Sequence, residues 1–551
     1  MIQVERNVEC KCSDGVILRA DAYRPNDHQC YPVLLLRLPY DKTNPHYYNG
    51  YLDVERMVSA GYVVILQDVR GRFASDGTFY PFVHERKDGY DAVEWAAALP
   101  YSNGKVGMFG MSYHGYTQLA AAVEDPPSLY AIAPVMAIAD PWTNMIQDPY
   151  TPFDQGSIAT WALESILPDQ LRRENRNTKL KLAHAYIKEL PAWLHDQPLT
   201  KWKPLRDTDV HSFYFEFVKS QVPKETLQWI NVQEKLGNIE IPGLFVGGWF
   251  DSLLKQTLEA YERYGGEQML WIGPWTHSAL NGQVGEVFFE NDTLGIEQLE
   301  DLTELHIRWF DHWLKGQRLN TEKPIHFYHM GHNSWEARRS WPPKNVCTER
   351  YYLSSHMGAN SRSGNGTLEK KKPETNRSEQ LLRNPEDPFP TRGGNLLMAG
   401  HMAGILQQGD LQDRRDALVF TSQPLPDPCD VHGRVQASVW VKPHSPLIDL
   451  FFQVSDVAPD GSVYNVVDTF IRRKSHASRV PQRVDTVLND TSYRFEKGHA
   501  LRLTIAGSNA PRFDVNQNNG TTSRTTTGGK TIADTILHGD HYPSYLSIPI
   551  T

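Results

Sequence analysis

KVGMFGMSYHGYTQLAAA, residues 105–122, is the stretch that decides how this chain is read. KVGMF is a short apolar run that suits a buried strand, and the alanine-rich run after residue 115 suits a helix. Between them stand Gly110, Met111, Ser112, Tyr113, His114 and Gly115. A serine held on a sharp turn between strand and helix needs small neighbours so that the backbone can pass. Its Oγ then stands above the C-terminal edge of the sheet, where the helix N-terminus favours developing negative charge. The usual spacing for such a turn is G-x-S-x-G. Here the second glycine falls one residue late, and His114 holds its usual place. Ser112 is the expected nucleophile, and His114 is too close to it on the starting helix to be its base.

Outward from this turn, YPVLLLRLPY (31–40), GYVVILQDV (61–69) and LYAIAPVMA (129–137) are apolar runs of strand length. YDAVEWAAALP (90–100) lies between them with a helical pattern. Strand–helix alternation predicts a parallel, doubly wound α/β sheet whose first part covers residues 1–140. Residues 141–240 are rich in aromatics and charges and lose the strand alternation, which predicts a helical cap inserted into the sheet. The sheet resumes over 241–345 with IPGLFVGGWFD (241–251) and QMLWIGPWTH (268–277), followed by the amphipathic helix LTELHIRWFDHWLKG (302–316). Residues 355–380 are polar and read as an exposed linker or loop. The remainder of 346–551 carries short alternating runs punctuated by Pro, Asp and Gly, as in a jelly-roll β-sandwich.

A serine hydroxyl attacks only when a base takes its proton. In α/β-hydrolases the acid and the base follow the serine in that order. Asp251 ends the apolar run LFVGGWFD and His277 follows MLWIGPWTH, so both are expected at C-terminal strand ends beside Ser112. Asp251 is also a candidate helix N-cap before SLLKQTLEAY. Asp68 ends a strand too, but it precedes the serine, and QDVRGRFASDG reads as turn architecture.

The chain has 551 residues, with 56 Lys and Arg against 65 Asp and Glu, a net charge of -9. That balance and the lack of a long basic run disfavour a nucleic-acid partner. Five cysteines at irregular spacing, Cys10, Cys12, Cys30, Cys347 and Cys429, read as reduced structural thiols, with no metal site. The N-terminus MIQVERNVECKC lacks a signal-peptide pattern and no run is long enough to span a bilayer, so a cytoplasmic protein without a membrane partner is expected.

Several further blocks make the chain resemble the cocaine esterase-like hydrolases, the CocE/NonD group, relatives of X-Pro dipeptidyl-peptidases and α-amino-acid ester hydrolases. They are LPYDK (38–42), GYVVILQDVRGRFASDGTF (61–79), GMFGMSYHGYTQ (107–118), GGWFDS (247–252), IGPWTHS (272–278), RWFDHWLKG (308–316), GGNLL (393–397), DVAPDG (456–461) and GHALRLTIAGSNAPRFDVNQNNG (498–520). The resemblance implies an α/β-hydrolase core with a helical cap and a C-terminal jelly roll. It also implies an oxyanion hole from the hydroxyl of Tyr40 and the backbone N–H of Tyr113. Aromatic cap residues of that group line an acyl pocket, which points to Trp142 and Trp161. Leu253 stands where the group has a phenylalanine. The stretch Ser252, Leu253, Leu254, Lys255 lacks the acid pair with which α-amino-acid ester hydrolases hold an ammonium. The expected activity is hydrolysis of carboxylic esters through Ser112, His277 and Asp251 without a cofactor. An amidase, acylase or X-Pro dipeptidyl-peptidase of the same superfamily is the alternative. The expected partner is a small-molecule ester or amide, and a homodimer is compatible with the reading.

Overall fold

The computed structural model describes residues 2–141, 148, 150–290, 294–295, 298–319, 322–476 and 479–551. Ten strands form the first sheet: β1 (Ile2–Lys11), β2 (Ile17–Pro25), β3 (Tyr31–Leu38), β4 (Val63–Asp68), β5 (Ser102–Met111), β6 (Leu129–Val135), β7 (Gly243–Phe250), β8 (Gln268–Thr276), β9 (Ile325–His329) and β10 (Ser334–Arg338). Their order is β1-β2-β4-β3-β5-β6-β7-β8-β9-β10. The pairs from β4 through β9 are parallel, while β1/β2, β2/β4 and β9/β10 are antiparallel. The sheet is therefore mixed. Its parallel centre is the part that the unbroken apolar runs predict, because strands covered on both faces lose the inside–outside alternation.

β3 illustrates the two-sided burial. Val33 and Leu35 pack into one core cluster with Ala92, Val93 and Ala96 of helix Glu85–Ala97 and with Leu119–Ala122 of helix Tyr113–Ala122. Leu34, Leu36 and Leu38 pack into the other, with Val54, Met57 and Val58 of helix Val54–Ser59 and with Trp309, Phe310 and Leu314 of helix Leu302–Lys315. Successive side chains of a strand point to opposite faces, so one strand feeds both cores. The last of these helices begins at Asp301, which accepts a hydrogen bond from Glu304 N–H at 2.9 Å, and ends at left-handed Gly316.

Between β6 and β7 the chain leaves the sheet as short helices, among them Gln155–Thr160, Leu167–Arg173, Asn177–Lys188, Phe213–Val218 and Lys224–Ile230. They join the cluster on the β3 Val33 face through Phe153, Leu163, Trp202, Tyr214 and Phe217. The C-terminal part is an eleven-stranded sheet, antiparallel apart from the pair Thr367–Glu369 with Ala417–Ser422. Its core holds Val439, Leu450, Phe452, Leu503 and Ile536.

The expectation of a loop over 355–380 is corrected. Strands Thr367–Glu369 and Arg377–Arg383 lie within or begin in that stretch. The second alternates exposed Gln380 with buried Glu379 and Leu381, and the buried carboxylate accepts a hydrogen bond from Ser355 Oγ. Arg377–Arg383 is a polar edge strand and Thr367–Glu369 is only three residues long, so neither carries the apolar periodicity that marks long interior strands. No helix among the described residues is long and apolar enough to cross a membrane.

Candidate active site

Ser112 sits between β5 and helix Tyr113–Ala122 with φ +61° and ψ -124°. A non-glycine residue pays for that conformation, so its surroundings must hold it. The Ser112 N–H donates to Val135 O at 2.9 Å, at the end of β6. The N–H before it, on Met111, donates to Nδ1 of His114 at 2.7 Å. Gln118, fully buried, ties the turn together: its Nε2 donates to Gly110 O and His114 O, and its Oε1 accepts from Ala133 N–H.

The departure from G-x-S-x-G now has a physical account. A Cβ at Gly110 would lie 2.5 Å from His114 Nδ1, so glycine there makes room for the imidazole as well as for φ +139°. A Cβ at Gly115 would lie 2.6 Å from the Ala137 Cβ, so the close approach of helix to sheet falls at 115, not at 114. His114 is 1% exposed, and burial pushes its pKa down to about 3. It is neutral and braces the turn; it does not line the cavity above Ser112.

Asp251 follows β7 and His277 follows β8, neighbours in the sheet. Their strand ends approach closely at Gly248, where a Cβ would lie 2.5 Å from Trp275 O. His277 Nδ1 and Asp251 Oδ1 are 2.6 Å apart, with Asp251 fully buried and His277 7% exposed. With Nδ1–H donated to the carboxylate, the ring nitrogen that a neutral His277 leaves free to accept a proton is Nε2. Asn395, from the C-terminal β region, donates through Nδ2 to both Trp249 O and Asp251 O at 2.9 Å. Asn395 belongs to GGNLL (393–397), and nothing in that local pattern signals that it clamps the turn that carries Asp251.

Tyr40 follows β3. Its hydroxyl accepts a hydrogen bond from the Trp161 indole N–H at 3.0 Å, and burial raises its pKa, so it keeps its proton. With one lone pair taken by Trp161, the Tyr40 O–H is free to donate elsewhere. Arg72 fixes the distance between these partners. Its guanidinium donates to Pro39 O, beside Tyr40, and to Ser165 O and Ile166 O, in the cap just after Trp161. Asp68 accepts from Lys42 N–H and Ala74 N–H, so it anchors the loop beyond Tyr40 and is architectural, as its turn-rich context predicts.

Tyr113 is the first residue of its helix, where a backbone N–H has no intrahelical acceptor. Its hydroxyl donates to Glu85 Oε1 and accepts from Phe82 N–H, each at 2.9 Å. Glu85 in turn pairs with Arg37 at 3.0 Å, and burial raises its carboxyl above the usual range.

One cavity is lined by Ser112, His277, Tyr40, Tyr113, Trp161 and Leu253 together. Every expected site residue except Trp142 thus borders it directly or, as Asp251, through His277. Trp142 lies outside the described residues. Among those described, one group of potential metal ligands lies within 4.8 Å, His329, Glu336 and His432. None of the three borders this cavity.

Residues 14–279 match the family model described as X-Pro dipeptidyl-peptidase (S15 family). Residues 318–547 match the X-Pro dipeptidyl-peptidase C-terminal non-catalytic domain. The chain is 30% identical to cocaine esterase from Rhodococcus sp. (strain MB1 Bresler), over 99% of this chain and 98% of that one. It is 24% identical to a putative serine esterase from Mycobacterium bovis, over 84% and 80% of the two chains. Among solved structures, an α-amino acid ester hydrolase superposes with a TM-score of 0.76 at 20% identity, covering 100% of this chain and 97% of that one. A CocE/NonD family hydrolase from Staphylococcus aureus superposes at 0.68 and 18%, covering 100% and 94%. At these identities the superpositions speak to the fold, which they share over nearly the whole chain.

Proposed function

This chain belongs to the CocE/NonD hydrolases of the S15 X-Pro dipeptidyl-peptidase family, and on that premise we propose that it cleaves small carboxylic esters by two-step acyl transfer at Ser112. The observation that carries the reading is the 2.6 Å contact of His277 with buried Asp251, at the edge of the cavity into which the strained Ser112 turn faces. His277 Nε2 takes the Ser112 proton as Oγ attacks the ester carbonyl. Asp251 holds the imidazole in the required tautomer and stabilises its positive charge. The oxyanion of the tetrahedral intermediate accepts from the Tyr40 hydroxyl and the Tyr113 backbone N–H. His277 then gives its proton to the leaving alcohol, and a water activated by the same histidine releases the acid.

The ester reading is preferred over the peptidase alternative because apolar Leu253 stands at the cavity and no acid pair follows Asp251. The test is a panel of p-nitrophenyl esters of graded acyl length, beside aryl amides and an X-Pro anilide, together with fluorophosphonate labelling. Ester turnover and a stoichiometric adduct on Ser112 are expected. Turnover confined to amides would replace esterase with amidase or peptidase. Labelling at another residue would refute the nucleophile.

A further inference from the structure

Beside the cavity above Ser112 lies a larger one, and the two share Ile138, Ser252 and Gln256 in their walls. The first measures about 130 Å³ and is largely apolar, with Phe82, Trp161, Leu253 and Leu397. The second measures about 340 Å³ and is polar. Core helix Leu254–Arg263 gives it Lys255 and Glu259, and the C-terminal strands Val463–Lys474 and Gln482–Phe495 give it Asp468, Thr469 and Asn489. A row of charges joins the two cavities. Asp154 borders the small one, Asp468 borders the large one, and the Arg512 guanidinium lies between, 3.7 Å from Asp154 and 3.8 Å from Asp468. Neither separation is a hydrogen bond. Asp154 has another partner, the Ser157 N–H at 3.0 Å. Asp468 has only the nearby charge of Arg512 to set against its burial, which pushes its pKa up to about 6. The side chains of Asp468 and Arg512 keep 5% and 11% exposure on the wall of the large cavity, so a group the size of a hydroxyl can touch both. Thr469 and Asn489 stand half-buried beside them, and the stacked rings of Phe470 and Phe513 complete that wall.

We propose that the large cavity is the alcohol subsite and that the substrate is a short-chain acyl ester of a sugar or similar polyol. The inference rests on the esterase reading and narrows its substrate class. An ammonium in the large cavity is repelled by Arg512, and a carboxylate is repelled by Asp468 and Asp154. A neutral hydroxyl meets neither penalty. It accepts from the guanidinium and donates to the carboxylate, and a neighbouring hydroxyl finds Thr469 or Asn489. The carbon-bound faces of a sugar ring pack on Phe470 and Phe513. A hydrocarbon alcohol in the same place strips water from Asp468 and Arg512 and returns no hydrogen bond. The acyl part falls to the small apolar cavity, whose volume is below the usual range for enclosed ligands, so the chain it takes is short.

The test compares two esters of one acid whose alcohols share a ring shape: methyl 6-O-butyryl-glucoside and cyclohexylmethyl butyrate. Butyrate release gives kcat/KM for both with the wild type, Asp468→Asn and Thr469→Val, and the urea midpoint of each variant reports its fold. The wild type is expected to prefer the glucoside ester by about tenfold or more, the worth of a hydrogen bond to a charged partner. That ratio should fall below about threefold in Asp468→Asn and shrink by about threefold in Thr469→Val, which keeps the side-chain shape and loses one neutral bond. Because each ratio is taken within one protein, a general loss of activity cancels from it. A wild-type ratio of one or less, with the cyclohexylmethyl ester turned over, overturns this proposal and leaves the esterase reading standing. A preference that survives both substitutions also overturns it. So does a preference for butyrylcholine over 3,3-dimethylbutyl butyrate that disappears in Asp468→Asn, which would assign the cavity to a cation. No turnover of any of these esters overturns the esterase reading itself, and this proposal with it.

Discussion

Replacing Tyr40 by phenylalanine removes one hydroxyl and keeps the ring that packs against Tyr47, Tyr113 and His114. Two effects follow, and they separate in different measurements. The first is kinetic: losing one oxyanion donor costs about 10²–10³ in kcat, or roughly 3–4 kcal/mol. KM should change little, because the hydroxyl is needed most once the oxyanion has formed. The second is structural: the Trp161 N–H loses its acceptor at 3.0 Å, which costs about 1–3 kcal/mol if it stays buried and unpaired. That loss appears in the denaturant midpoint and not in kcat. Trp161→Phe tests the orienting role. It leaves the Tyr40 hydroxyl in place but frees the lone pair that fixed its direction, so kcat should fall by about fivefold, the worth of an ordinary hydrogen bond. The double variant should be no slower than Tyr40→Phe by more than about twofold, because Trp161 acts on the oxyanion only through Tyr40. The assay is steady-state hydrolysis of a p-nitrophenyl ester with each variant, beside urea unfolding. A Tyr40→Phe enzyme within about threefold of the wild-type kcat would refute the oxyanion role. Fully additive losses in the double variant would refute the coupling.

Ser112→Ala should lose turnover by about a millionfold with an unchanged unfolding midpoint; substantial activity in the purified variant would contradict the assignment. His114→Leu strands the Met111 N–H and should cost about 1–3 kcal/mol of stability along with kcat, whereas His114→Asn, with an acceptor near the Nδ1 position, should recover most of both; equal losses would show that the Met111 bond is not what matters. Stability should fall as pH drops from about 6.5 toward 4, read as the urea midpoint at pH 7.5 and pH 5. Burial lowers the pKa of His114 and His432 to about 3, and that of His306, His326 and His538 to about 4, so below the ordinary histidine value the unfolded chain binds protons that the folded chain refuses. Asp68 and Asp468, pushed up to about 7 and about 6 by burial, and Glu85, Glu164, Asp456 and Asp490, raised by the same cause, act in the opposite direction, but the histidines lowered by burial, which also include His84, His195 and His329, outnumber them, so the net slope keeps its sign. A midpoint equal or higher at pH 5 would contradict this.

The sequence by itself determined the class of the fold and pointed to the candidate chemistry at its centre. Strands buried on both faces must be unbroken apolar runs, and a nucleophile turn must sit between such a strand and a helix with glycine at its margins. Those are local demands, and residues 31–38, 105–122, 243–251 and 268–277 display them openly. Arg377–Arg383 is harder to read, because a half-exposed edge strand carries polar side chains that look like loop. What only the tertiary structure decided are the partners that hold the candidate site, each contributed by a distant part of the chain. Trp161 bonds a hydroxyl 121 residues away, Asn395 clamps a turn 144 residues away, and Arg72 ties the Tyr40 loop to the cap. An aromatic residue in a cap, an asparagine after two glycines and an arginine in a turn have no local pattern that names their hydrogen-bond acceptors. His114 is the same case at short range. The sequence displays a histidine where a glycine is usual, but only the backbone path through Gly110 and Gly115 shows its imidazole accepting from Met111 N–H and bracing the turn from below.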